Sequence, residues 1–115
     1  MSRRILIVVT SDPRRSPKPA EAVRIAAGIS AGGGIAVAIC FCGDSELALR
    51  EAGGDWIDGD NFSRYLPLLL ETGGELLALA DSGHGESATS PVHFESINTE
   101  QLACRVAGSG SIFRF

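Results

Sequence analysis

The sequence predicts an α/β protein, a three-layer α/β/α sandwich on a mostly parallel sheet of about five strands. Three observations carry this expectation. The strand candidates are unbroken apolar runs, "ILIVV" from residue 5, "IAVAICFC" from residue 35 and "LLALA" from residue 76, as expected for strands buried on both faces. Segments of helical periodicity lie between them and supply the crossovers that parallel neighbours require. Glycine, proline and short polar clusters mark the joints.

Arg4 to Thr10 forms the first strand, bounded by "SDP". In the next segment Ala22, Ile25, Ala26 and Ile29 recur at helical spacing, with Pro17 and Pro19 where a first turn tolerates a missing N–H, so a helix is expected over about 18–31. Gly32, Gly33 and Gly34 follow that helix and precede a strand. That order makes the triplet a helix terminator and excludes a dinucleotide or P-loop cradle. Ile35 to Cys42 is the second strand, and "GDSELALREAGG" holds a short helix or a turn with a brief extended piece. Phe62, Tyr65, Leu66, Leu69 and Leu70 share one face of a helix over about 61–72, and Pro67 implies that its regular part begins near Ser63 or bends. Leu76 to Ala80 is the next buried strand, and the polar stretch Ser82 to Ser96 is expected to be a loop. Asn98 and Gln101 have capping-box spacing, Gly108 ends the last helix, and Ser111 to Phe115 is a terminal strand.

The bulk numbers limit the function classes. A chain of 115 residues is the size of one domain, residues 1–115, burying roughly 65% of its unfolded surface. Hydrophobic residues make up 44% and charged residues 21%, the balance of a compact folded protein. A net charge of -4 opposes nucleic-acid binding by phosphate neutralisation, and the small cluster of Arg14, Arg15 and Lys18 lies in a Pro-rich loop expected to be solvated. "MSRRILIVV" imitates a secretory start, but its apolar part is too short for a signal core and no run reaches the ~20 residues of a membrane span, so a cytoplasmic protein is expected. Cys40, Cys42 and Cys104 are then free thiols.

In parallel sheets, ligands collect outside the carboxyl ends of the strands. Those ends bring forward Thr10, Ser11 and Asp12 after the first strand, Cys42, Gly43 and Asp44 after the second, and Asp81, Ser82 and His84 after the third. Thr10, Ser11, Asp12, Cys42, Asp44, Asp81, Ser82 and His84 are therefore the candidate ligand-binding residues.

The chain resembles the DsrE/DsrF-like family of bacterial sulfur-relay proteins. The similarity runs nearly end to end and rests on "ILIVVTSDP", "AEAVRIAAGISAGG", "FCGDS" and, above all, "DNFSRYLPLLLETGGELLAL". It implies a parallel sheet flanked by helices, assembly as a trimer or hexamer, and sulfur-relay partner proteins. In active members it also implies a cysteine that carries sulfur as a persulfide at the end of the strand matching residues 75–80. Here that position is Ala80, or Asp81 after a slip of one, and neither can be a thiolate nucleophile. The Arg-Gly that follows in the family is replaced by the neighbourhood of "HG" at residues 84 and 85.

Each candidate has a plainer alternative. Cys42 ends a strand and is the candidate nucleophile, but Cys40 and Cys42 project to one side of a buried strand, where free cysteines often just pack. Cys104 within the last helix is a weaker thiol candidate. Asp81, Ser82 and His84 are too crowded in one turn for a hydrolase triad. His84 with Asp12, Asp44 or Asp81 has the donor set for a divalent metal, against a solvated loop histidine. His93 reads as a surface or packing residue, and Trp56 as a cover for the core margin or an oligomer contact. Thr10 and Ser11 offer an anion site, but Pro13, Pro17 and Pro19 remove the N–H donors a phosphate or flavin would use, so no cofactor is expected.

Three readings follow. The leading one is a family member without the sulfur-carrying cysteine, acting as a non-catalytic oligomeric binding or partner subunit that contacts neither nucleic acid nor membrane. The second is a persulfide transferase using Cys42. The third is a small-ligand or metal-binding module at the strand carboxyl ends.

Overall fold

A computed structural model of the chain describes residues 3–50, 55–79 and 93–115. The elements are β1 (Arg3–Val9), α1 (Lys18–Gly32), β2 (Ile35–Phe41), a 3-10 turn (Gly43–Glu46) leading into the single-turn α2 (Leu47–Arg50), α3 (Asp60–Glu71), β3 (Glu75–Leu79), β4 (Glu95–Ile97), α4 (Thr99–Ala107) and β5 (Ser111–Arg114). Among the described residues, five strands form one sheet in the order β4-β3-β2-β1-β5, each neighbouring pair parallel. The α/β class with a parallel sheet is as expected.

The register aligns the apolar runs. Ile7 lies beside Ile39 and Ile39 beside Leu76, so alternate residues of three central strands share a face. Ile7, Val9, Val37, Ile39, Phe41, Leu76 and Ala78 form the larger core with residues of α1 and α3, among them Val23, Phe62, Leu66 and Leu69. From α1 come Ala20, Ala22, Ala26 and Ala27, all buried, and such small side chains let a helix lie close to a sheet. Burying a side chain such as Phe41 or Leu69, both fully enclosed, contributes about 1.5–3 kcal/mol. Trp56 packs at the margin of this core. Ser30, buried near the end of α1, bonds the Thr72 hydroxyl at 2.7 Å and so ties α1 to the end of α3.

Among the described residues, the opposite face is thinner. Leu6, Ala38, Cys40, Leu77 and Ile97 form a small second cluster, joined by half-buried Val8, Cys42, Leu79 and Leu102. Leu102 is the contribution of α4, a helix with no fully buried residue.

Several joints match the reading of the sequence. Gly33 and Gly34 have φ of 75° and 78°, left-handed values that side chains resist, and the Gly33 N–H bonds the Ser30 carbonyl at 3.2 Å. The Asn98–Gln101 capping box is formed in both directions, each bond 2.8 Å long.

Two expectations need correction. Residues 95–96, assigned to the loop Ser82 to Ser96, belong to strand β4, where Leu77, Ala78 and Leu79 pair with Glu95, Ser96 and Ile97. Three residues with one buried side chain carry no readable periodicity, and only the exposed edge of β3 makes them a strand. The helix α3 runs Asp60–Glu71, near the expected 61–72, so the alternative of a start near Ser63 falls and Pro67 lies in the helix interior. Pro67 and Ser63 are both on the solvent side, where water can satisfy the Ser63 carbonyl that loses its helical donor.

Candidate functional site

The parallel order gathers the carboxyl ends of β1 and β2 side by side. Val9 pairs with Phe41, and just beyond them the Cys42 N–H bonds the Val9 carbonyl at 2.9 Å. Ser45, fully buried, sits beneath this joint with its hydroxyl 2.9 Å from the Val9 carbonyl and 2.7 Å from that of Cys42, one proton shared between two acceptors. The rim around Cys42 is therefore held by backbone and side-chain bonds together.

Two thiols meet there. Residues i and i+2 of a strand share a face, and Cys40 Sγ and Cys42 Sγ are 4.0 Å apart on the α4 side of the sheet. Cys40 is fully buried, whereas Cys42 is half-buried at the strand exit. The contact with Cys40 lowers the Cys42 pKa below the ordinary thiol value even though burial and Glu46 act against it. The same contact, with burial, pushes the Cys40 thiol up. Of the two, Cys42 is the more acidic and the one nearer solvent. The source of its acidity is the neighbouring thiol. Glu46, also fully buried, belongs to the same surroundings.

Among the described residues, the other predicted ones do not converge in this way. Thr10 is exposed and its N–H bonds the Phe115 carbonyl at 2.9 Å. Asp12 is taken by Arg14, whose Nε and Nη2 bond its carboxylate at 3.0 and 2.8 Å, while the Arg14 N–H donates at 2.9 Å. These bonds hold the Asp12 pKa down to about 2. The N–H groups of Arg15 and Ser16 bond the Asp12 carbonyl, so the donors a phosphate would need after β1 are already used within the loop. Ser11 is half-buried, and Asp44 is exposed in the 3-10 turn. Ala80, Asp81, Ser82 and His84 lie outside the described residues. Among the described residues no three His, Cys, Asp or Glu side chains are grouped closely enough to hold a metal ion. Cys104 and His93 are exposed.

Sequence reasoning passed over Ser45 and Glu46, whose burial depends on how the 3-10 turn folds against β1. It identified Cys40 only as packing, although the i, i+2 spacing that pairs it with Cys42 was legible. A cavity of about 530 Å³ lies at the other end of the sheet, between α4 and the amino ends of the strands. Leu6, Ala38 and Ile97 line it together with Arg4, Glu75 and Arg105.

No protein-family model matches the sequence, and no curated protein matches it. Solved structures do match. The crystal structure of the ychN protein from E. coli superposes with a TM-score of 0.81 over 100% of both chains at 18% sequence identity. The chain has the DsrE/DsrF-like fold. The five parallel strands and the helices around them agree with that neighbour. Among the described residues, no helix is long and apolar enough to cross a membrane.

Proposed function

We propose that the protein works in sulfur transfer, with Cys42 as the thiol that accepts sulfane sulfur. The observation that carries this reading is the pairing of a half-buried Cys42 with a buried Cys40 thiol 4.0 Å away at the carboxyl rim of the sheet. The step is a thiol exchange. The Cys42 thiolate attacks the outer sulfur of a persulfide donor R–S–SH, the donor's S–S bond breaks, and R–S⁻ leaves with the electron pair and takes up a proton. The DsrE/DsrF-like fold supports a place among sulfur-relay proteins, and the reading goes with a cytoplasmic setting, where thiols are kept reduced.

The test is exposure of the full chain to glutathione persulfide, with acid quenching at successive times and intact mass measurement. A gain of one sulfur atom at early times is expected, abolished by Cys42→Ser and kept in Cys104→Ser. Absence of any gain, or a gain that survives Cys42→Ser, defeats the reading.

A second reading is then favoured by the edge of the sheet. On β5, Ile112 is 45% and Phe113 48% exposed, more apolar surface than an isolated edge strand usually shows water. This suits a partner subunit that assembles as a trimer or hexamer or with sulfur-relay proteins. Sedimentation of the wild type and Phe113→Glu tests it: a wild-type monomer defeats it.

A further inference from the structure

We propose that Cys40 is the resolving thiol for a Cys42 persulfide, releasing its outer sulfur as hydrogen sulfide and closing a Cys40–Cys42 disulfide. This inference rests on the sulfur-accepting reading of Cys42. The geometry limits what Cys40 can do. It is fully buried among Leu6, Ala38, Leu77 and Ile97, so donors in solution do not reach it, and the reactive group beside it is the Cys42 sulfur at 4.0 Å. A thiol enclosed in this way is protected from outside oxidants and alkylators but is placed for attack on whatever Cys42 carries.

The step balances without an added oxidant. The Cys40 sulfur attacks the inner sulfur of the persulfide, Cys42 Sγ, and the new bond joins the two Sγ atoms. The bond from Cys42 Sγ to the outer sulfur breaks with its electron pair leaving on that sulfur, which takes the proton from the Cys40 thiol and departs as hydrogen sulfide. Two thiol sulfurs are oxidised to the disulfide as one sulfane sulfur is reduced to sulfide. Counted from the donor, R–S–SH and two thiols become R–SH, one disulfide and hydrogen sulfide.

The product linkage suits a turnover role. Two residues apart along an extended strand, the Cα atoms are separated by ~6.6 Å, near the upper limit of ~6.8 Å for a disulfide. A bridge at that limit is open to reduction by exchange with a small cellular thiol. Cys42 lies just past the end of β2, which ends at Phe41, so the strand exit can take up the movement.

The experiment uses the reduced full chain mixed with one equivalent of glutathione persulfide, following released sulfide together with intact mass. Wild type is expected to release sulfide and finish two hydrogens lighter, with peptide mapping locating the link between Cys40 and Cys42. Cys40→Ser and Cys40→Ala, checked for native circular dichroism, are expected to hold the added sulfur and release sulfide at least about tenfold more slowly. Cys104→Ser should follow wild type. A wild-type persulfide as long-lived as that of the Cys40 variants, or a wild type without the mapped link, overturns the role of Cys40 and leaves Cys42 as acceptor intact. Failure of every variant to acquire sulfur overturns both.

Discussion

Arg105 of α4 grips Glu75 at the start of β3 through two bonds, Nη1 to Oε1 and Nη2 to Oε2, each 2.7 Å long. The fork matters because α4 buries so little, with half-buried Leu102 as its contribution to the small cluster beneath it. Both side chains are partly exposed, 35% and 47%, so solvent screens the pair and its worth is on the order of 1 kcal/mol or less. Arg105→Gln should therefore lower the melting temperature by only a few degrees. The pH dependence is more diagnostic. Arg105 lowers the Glu75 pKa from 4.5, so the pair's stabilisation is present above that unfolded value and fades as pH falls through the lower folded one. The stability gap between wild type and Arg105→Gln should narrow as pH falls below about 4.5 in denaturant titrations. A gap constant down to strong acid would refute the ion pair's role.

The Asn98 cap offers a second handle on α4. Its side chain accepts the Gln101 N–H at 2.8 Å while the Gln101 side chain accepts the Asn98 N–H at 2.8 Å. Asn98→Ala should cost about 1 kcal/mol. Hydrogen exchange should show the loss first at the Gln101 amide, with β1 and β2 amides little affected.

Two glycines should respond in opposite senses to alanine. A Cβ on Gly74 would meet the Leu69 side chain and lie 2.9 Å from the Leu69 carbonyl, in a core where Leu69 is fully buried. Gly74→Ala should destabilise by about 1–3 kcal/mol. Gly28 is exposed within α1 and a Cβ there meets nothing within 4 Å, so Gly28→Ala should stabilise by roughly 0.5–1 kcal/mol. Urea midpoints of the two variants check both signs.

Thiol chemistry gives a prediction that does not depend on sulfur transfer. The contact with Cys40 puts the Cys42 pKa below the ordinary thiol value, so its thiolate survives to lower pH. Iodoacetamide should modify Cys42 near neutral pH and leave Cys40, fully buried with its pKa raised, unmodified until the protein unfolds. Cys40→Ala removes that neighbour, so the pH profile for alkylation of Cys42 should move up. An unchanged profile would show that the neighbouring thiol does not set its acidity.

The legible part of the fold is local. β1 and β2 announced themselves as solid apolar runs, and α3 by Phe62, Tyr65, Leu66, Leu69 and Leu70 on one helical face, of which Leu70 is exposed, because burial on both sides or on one stripe leaves a pattern in the chain itself. β4 left none, since its identity lies in the open edge of β3. The candidate site was legible in part for the same reason. The topology rule points to the ends of β1 and β2, which the parallel order sets side by side with Cys42 just past them. That Asp12 is consumed by Arg14, and that Ser45 is buried under Val9, depend on how loops close and could not be read from spacing.

By itself the sequence determined the alternation of strand and helix, the glycine turn at Gly33 and Gly34, the cap at Asn98 and the shared face of Cys40 and Cys42. Each is set by periods and backbone preferences that act within a few residues. The tertiary structure alone decided that β5 lies beside β1 at the far edge from β4, that one face of the sheet is thickly covered and the other thinly, and that two thiols at the end of β2 stand in unequal surroundings. Those outcomes come from non-local pairing and packing, whose energies exist only once distant segments have met.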